Sequence, residues 1–231
     1  MTVKLRIAAH RGLWSGDEKE GVPVVAKNSA AAFRFAAQYG FGLETDFRDV
    51  LGRIVISHNP PAEDALPIDE FAKLLTPGQI VLVNIKADGI APALRTAAAE
   101  TPFGACRLFA FDMSVPDTLD YVRTGFPFLE RVSEYEPLDR RPDGFFPGRA
   151  GFWLDGFHSD WWDEDFLRAL VRRFHTVAVV SPELHGRPHA AAWSRIQAVL
   201  GRPDPASPEG AEIILCTDIP FEARRRLGFF E

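Results

Sequence analysis

The sequence predicts a single-domain α/β protein of the (β/α)8, or TIM-barrel, class over residues 1–231. Three observations predict it. Short apolar runs alternate with helix-period segments along the whole chain. Eight such runs fit a length of 231 residues, about the usual size for that fold. Finally, the runs end in polar, chemically useful residues, as the fold requires of strand C-terminal ends.

The strands are expected at 5–9, 43–47, 80–85, 107–111, 128–132, 151–154, 177–180 and 213–216. A short extra strand at 54–57 follows the Leu51-Gly52-Arg53 turn. The first helix, 29–39, presents Ala32, Phe33, Phe35, Ala36 and Tyr39 on a broad apolar face; Asn28 or Ser29 caps it and Gly40 ends it. A helix at 68–75 stops at Thr76-Pro77-Gly78, and one at 91–100 stops at Thr101-Pro102. The helix at 116–124 opens on proline and closes at Gly125. The 163–174 segment opens on acids and closes on Arg172-Arg173, as the helix dipole favours. Helices at 190–200 and 220–227 complete the set. The expectation is eight strands, each followed by a helix. The Pro-rich stretch 202–208 reads as a loop, not a domain boundary.

Composition narrows the function classes. The chain is 46% apolar and 25% charged, ordinary for a soluble globular protein. A net charge of −6 does not resemble a nucleic-acid footprint, and Arg224-Arg225-Arg226 is too short a basic run to supply one. No apolar run approaches the roughly 18 residues of a membrane span. The first residues run straight into a strand with no signal-like apolar segment, so a cytoplasmic location is expected. Cys106 and Cys216 read as buried free thiols.

Four elements carry chemistry. In Glu44-Thr45-Asp46 the side chains two apart share one face of a strand, so both carboxylates face the barrel axis if Thr45 faces the helices. Paired carboxylates repel unless protonated or bridged by a cation, and a hard divalent ion is the natural bridge. His10-Arg11-Gly12 puts an imidazole and a guanidinium at a strand end, and the guanidinium suits bidentate phosphate contact. His58 leaves a short strand into the rigid Asn59-Pro60-Pro61 loop, where it can serve as acid or base. Asn84-Ile85-Lys86 puts an amide and an ammonium on one face; Lys86 either balances the carboxylates or holds a phosphate. Singly, each has a bland alternative: a solvated acidic strand end, a structural or turn histidine, a salt bridge.

In combination these elements resemble the glycerophosphodiester phosphodiesterase family, within the wider phosphatidylinositol-phospholipase-C-like barrel group. The resemblance rests on His10-Arg11-Gly12, Lys27-Asn28-Ser29, Ala32-Phe33, Gly40, Glu44-Thr45-Asp46 and Val55-Ile56-Ser57-His58. It continues through Pro67-Ile68-Asp69-Glu70-Phe71 and Asn84-Ile85-Lys86, thins in the middle, and returns at Cys216-Thr217-Asp218-Ile219-Pro220. It implies metal-dependent hydrolysis of a glycerophosphodiester to sn-glycerol 3-phosphate and an alcohol. It also implies roles: His10 and His58 as the acid/base pair, Arg11 and Lys86 at the phosphate, and Glu44, Asp46 and Asn84 around Mg²⁺ or Ca²⁺. The partner is then a small-molecule phosphodiester, with no nucleic acid and no membrane span.

Three departures qualify the resemblance. Asn84 stands where the family has a third acidic metal ligand. Asn59 stands where the family's His-Asp has its acid. Only 21 residues lie between His58 and Ile80, so the usual cap over the substrate is almost absent. Two other readings follow: a phospholipase-type lyase that cyclises its substrate, and a non-catalytic barrel that binds a phosphorylated ligand. Loop aromatics Trp14, Phe145, Phe146, Phe157, Trp161 and Trp162 either line a head-group pocket or pack between loops and helices, packing being preferred for each taken singly. Asp112, Arg131 and Glu134 either replace the missing ligand, bind the head group or form a salt-bridge network at the mouth, and the network is preferred.

Overall fold

A computed structural model describes residues 2–62, 64–138 and 146–228. Ten strands occur among them: β1 (Lys4–His10), β2 (Gly42–Val50), β3 (Arg53–Ile56), β4 (Leu66–Pro67), β5 (Ile80–Ile85), β6 (Arg107–Phe111), β7 (Leu129–Val132), β8 (Gly151–Leu154), β9 (Thr176–Val180) and β10 (Glu212–Thr217). Seven α-helices accompany them: α1 (Ala30–Gln38), α2 (Ile68–Ala72), α3 (Ala91–Glu100), α4 (Val115–Thr124), α5 (Glu164–Arg173), α6 (Ala190–Leu200) and α7 (Pro220–Leu227).

Eight strands form one parallel path, β6-β5-β2-β1-β10-β9-β8-β7. The edges, β6 and β7, meet at a single parallel bridge, Ala110 to Phe128, where Ala110 N donates to Pro127 O at 2.9 Å. β2 outruns its parallel partners and folds back as an antiparallel hairpin with β3, Phe47 lying opposite Ile56.

Alternation along the strands divides the apolar residues into two cores. The inner one stacks Ala8, Leu82, Phe111, Trp153, Val180 and Cys216, with Phe111 and Trp153 stacked 3.8 Å apart. The outer one packs the opposite strand faces against the helices. Phe47 belongs to the outer core, with ring centroids 5.8 Å from both Phe71 and Phe103. A one-residue slip would bring Phe47 inward and turn Asp46 out into apolar packing, so this cluster fixes which way the carboxylates point. Below the inner core, Glu212 takes Arg107 Nη1 at 2.9 Å and Thr176 Oγ1 at 3.1 Å, closing the N-terminal end of the strands with a polar plug.

The helices begin and end as local chemistry dictates. Ser29 caps α1 by accepting from Ala32 N at 3.2 Å. Ser114 caps α4, which stops at Gly125 with φ of 66°. Asp163 caps α5, whose last turn carries Arg172 and Arg173.

One expectation is corrected and one lies partly outside the description. Among the described residues no α-helix follows β7; the chain there turns through Ser133 and Glu136, which exchange backbone hydrogen bonds, and 139–145, including Phe145, lie outside the description. Cys106 is half-buried and precedes β6 as the end of a 3-10 turn, so only Cys216 is a core thiol. Among the described residues, no helix is long and apolar enough to cross a membrane.

Candidate active site

The C-terminal ends of the strands carry a ring of polar residues above the inner core. Glu44 and Asp46 both point into it and are each only 1% exposed. Burial, with the Asp46 charge adding to it, raises the Glu44 carboxyl above its ordinary pKa; the charges of His10 and Lys86 pull the other way.

The turn after β1 is built to hold this pair. Arg11 and Gly12 both adopt left-handed backbone, with φ of 57° and 79°. Gly12 is required there: a Cβ would sit 2.8 Å from the Ala32 Cβ of α1. The turn aims the Arg11 N–H at Glu44 Oε2, 3.1 Å away, while Arg11 Nε lies 3.4 Å from Asp46 Oδ2. Lys86 Nζ approaches the other Asp46 oxygen at 3.5 Å. Asp46 therefore sits between two cations.

His10 is oriented by a residue to which the sequence assigned no role. Asp218, just beyond β10, meets His10 Nδ1 at 2.7 Å. This keeps the proton on Nδ1 and leaves Nε2 toward the mouth, 3.8 Å from Glu44 Oε2. Burial opposes ionisation of Asp218, but the His10 hydrogen bond and charge, with help from Lys27 and Trp14, hold its carboxyl below the usual range. Trp14 Nε1 donates to the same Asp218 oxygen at 3.1 Å, and Lys27 Nζ lies 3.7 Å from the other. Glu183 anchors the segment beneath, accepting from Ser181 Oγ, Thr217 Oγ1 and Asp218 N.

Asn28 is the second residue missed. The sequence offered it as a helix cap, but Ser29 takes that part. Asn28 sits at φ of 56°, a conformation asparagine tolerates. Its Nδ2 donates to Asp46 Oδ2 at 2.9 Å and its Oδ1 accepts from Thr45 Oγ1 at 2.8 Å, so it clamps β2 beside the carboxylates. Its place inside Lys27-Asn28-Ser29 was the available signal; Asp218 had its own in Thr217-Asp218-Ile219-Pro220.

Asn84 lies opposite Asp46 in the parallel register of β2 and β5. Its Oδ1 and Asp46 Oδ1 are buried oxygens without a hydrogen-bond partner. Beside Glu44 they make an oxygen donor set of the hardness that Mg²⁺ or Ca²⁺ takes, so the residues present fit such an ion. Among the described residues, no three His, Cys, Asp or Glu side chains group as metal ligands, so the set depends on the Asn84 amide.

His58 stands apart from that network. It is exposed at the end of the hairpin, and its Nδ1 meets Asn59 Oδ1 at 3.1 Å, which leaves Nε2 open. Arg48 ties this loop to the site by donating to the His58 carbonyl and, at 2.9 Å, to the Lys86 carbonyl. His58 and Arg11 share an open groove of about 440 Å³, which Lys27, Asn28, Ser29 and Asn59 also line. Arg11, Lys27 and Asp64 put charges of both signs around this groove.

On the far side of the ring, Arg131 binds Asp112 at 3.1 Å and also Glu136, so these residues form a salt-bridge network. Glu134 binds no side-chain cation among the described contacts. Against a burial penalty, the N–H groups of His158, Phe157 and Ser159 draw its carboxyl down to about 2. A second histidine–carboxylate pair, His185 Nε2 to Asp155 Oδ1 at 2.8 Å, stands at the ends of β8 and β9; neither residue was singled out as a site residue by the sequence. Of the loop aromatics, Trp162 is buried and Trp161 packs on Phe166 at 4.9 Å, which is packing rather than pocket lining. Phe146 lines a cavity, and Trp14 serves Asp218.

The whole architecture has a counterpart among solved structures. The chain is similar in fold to a glycerophosphodiester phosphodiesterase from Agrobacterium tumefaciens str. C58, with a TM-score of 0.58 and 14% identity over 95% of this chain and 97% of that one. At that identity the likeness defines an α/β fold shared with a phosphodiesterase. No protein-family model and no curated protein matches the chain.

Proposed function

We propose that this protein is a phosphoric diester hydrolase, splitting a glycerophosphodiester with water into sn-glycerol 3-phosphate and an alcohol. The observation that carries this reading is the convergence, at one strand mouth, of the Asp218-held His10, the Glu44–Asp46 pair and two cations. The fold likeness to a phosphodiesterase supports it. In this reading the sheet is a closed (β/α)8 barrel, completed across the Ala110–Phe128 bridge, working in the cytoplasm.

Glu44, Asp46 and Asn84 would hold Mg²⁺ or Ca²⁺, which supplies Lewis-acid stabilisation of phosphoryl charge when bound. Arg11 and Lys86 bind the non-bridging phosphate oxygens. His10 Nε2 takes the proton of the attacking water, and Asp218 stabilises the imidazolium that results. His58, across the groove from Arg11, gives a proton to the leaving alcohol. General acid–base help of this kind contributes about 10²- to 10⁴-fold. His10→Ala and His58→Ala should therefore each remove most phosphodiesterase turnover with the fold intact by circular dichroism. Near-normal turnover in either variant contradicts that residue's role.

One observation favours a second reading, a barrel that binds a phosphorylated ligand without turnover: the Asn84 amide replaces a charge in the donor set. A cyclic phosphate product would instead identify a lyase.

A further inference from the structure

A second imidazole is held at the strand ends by a carboxylate, and the chemistry above does not use it. His185 ends the 3-10 turn after β9, Pro182–His185, and its Nε2 meets Asp155 Oδ1 at 2.8 Å. The two side chains are 26% and 8% exposed. The pair repeats, with the ring nitrogens exchanged, the way Asp218 holds His10 Nδ1. The proton is kept on Nε2, and among the described contacts Nδ1 is the open nitrogen.

Alternation places this pair over the inner core. Ala8, Cys216 and Trp153 point inward, so His10, Asp218 and Asp155, each two residues further along the chain, share that face. The turn bearing His185 is fixed directly to the support of His10. Glu183 accepts from Thr217 Oγ1 and, at 3.3 Å, from Asp218 N, while Asp218 meets His10. Burial raises the Cys216 thiol, and the charges of Glu44, Asp218, Glu183 and Asp155 add to it. The two histidine–carboxylate pairs therefore stand around one mouth with Glu44.

Tying loops together does not account for the second pair. The loops after β8 and β9 are already joined by Arg187, which donates to Asp160 Oδ1 at 2.6 Å and to the Gly156 carbonyl. The surroundings instead suit a ligand. The Phe157 ring lies 5.3 Å from the imidazole, an apolar edge for a carbon arm. The Asp155 hydrogen bond raises the pKa of His185 against burial; the charges of Asp155 and Glu134 add to this and that of Arg187 opposes it. Nδ1 accepts in the neutral ring and donates in the protonated one, and a hydroxyl, which does both, matches either form. The same carboxylates disfavour a second anionic group. Two strand spacings, about 10 Å, separate β1 from β9 along the wall. A phosphate at the Arg11 turn with a three-carbon arm bridges such a gap, given a hydrogen bond of about 2.8 Å at the far end.

We propose that His185 is a substrate-binding residue of this site, its Nδ1 hydrogen-bonded to a hydroxyl of the glycerol arm. The inference deepens the hydrolase reading and rests on it for the position of the phosphate.

Binding of sn-glycerol 3-phosphate and of propyl phosphate to the full chain, measured by calorimetry in Mg²⁺, tests the contact without turnover. The two share the phosphate and the three carbons and differ only in hydroxyls. The parent should bind glycerol 3-phosphate at least about tenfold tighter. His185→Ala, and His185→Phe, which keeps a ring beside Phe157, should each bring the two ligands within about threefold of each other, through loss of affinity for glycerol 3-phosphate alone. Equal affinity of the two ligands for the parent overturns the proposal, as does a preference that survives both variants. The ¹⁵N resonance of His185 Nδ1 in the parent needs no substitution: it should move with glycerol 3-phosphate and not with propyl phosphate, and an unmoved resonance also overturns the contact. Turnover of glycerophosphoethanol and of propyl ethyl phosphate separates the two levels of inference. Equal kcat/KM for both removes the contact and leaves the hydrolase. A binding preference lost in His185→Phe, with turnover of neither diester, leaves the contact and removes the hydrolase.

Discussion

Asp218→Asn isolates the charge that stands behind His10. The carboxylate meets His10 Nδ1 at 2.7 Å, and the two side chains are 20% and 17% exposed. At an effective dielectric of about 20, a full charge pair at that distance has a ceiling of about 6 kcal/mol. Partial exposure and the neighbouring Lys27 reduce it, and charge-assisted hydrogen bonds of this kind are worth about 1.5–3 kcal/mol. Asparagine is nearly isosteric. Trp14 Nε1 donates to the oxygen that faces His10, so the amide keeps its carbonyl there and the tautomer is retained. What is lost is stabilisation of the imidazolium formed once His10 has accepted a proton. That loss corresponds to about a 10- to 150-fold fall in kcat at about 1.4 kcal/mol per decade, with KM nearly unchanged. Steady-state kinetics on a glycerophosphodiester, alongside a thermal melt, provide the assay. A kcat within twofold of the parent would mean that the Asp218 charge does not stabilise the imidazolium. So would a rise in KM alone, because it would place Asp218 in substrate binding instead.

Other outcomes follow from the same geometry. Asn84→Glu should tighten Mg²⁺ or Ca²⁺ binding in calorimetry by adding a carboxylate beside Asp46; unchanged or weaker binding would mean that position 84 does not face the ion. Glu134→Gln should cost roughly 1 kcal/mol of stability at pH 7, the larger figure implied by a carboxyl held near 2 being discounted for solvent screening. Because that carboxyl is depressed in the folded state, its contribution is complete above the unfolded value near 4.5 and disappears as pH falls toward about 2. Denaturant melts of parent and variant should therefore converge on acidification; a gap that widens instead contradicts the loop-anchoring role.

Much of the architecture was legible because strands and helices write different periods. β5, β6, β8, α3, α6 and α7 have the bounds the sequence implies, each closed by glycine, proline or a charged end. The stretch after β7 is only partly described, and its described part carries no helix. Its backbone partners are Ser133 and Glu136 on each other, a local pairing that leaves no periodic trace. Cys106 sat beside an apolar run and was credited with its burial, although the 3-10 turn places it at the strand entrance.

The site divides along similar lines. His10, Glu44, Asp46 and Lys86 lie at strand ends two residues apart or in register, and alternation alone aims them inward. Arg11 is different: a left-handed turn brings its amide to Glu44, and only the glycine that follows hints at it. Asp218 and Asn28 act across 208 and 18 residues respectively. No local pattern announces such a partnership, so motif membership was the sole clue.

Phosphodiester hydrolysis by the residues around Glu44 and Asp46 is the proposal on which the other roles depend. Its most direct test is release of alcohol and glycerol 3-phosphate from a glycerophosphodiester, followed in Mg²⁺, Ca²⁺, Mn²⁺ and EDTA. Turnover with at least one of these ions is expected, abolished by EDTA and by His10→Ala. No product with any ion, from a chain that still binds phosphate esters, would contradict it.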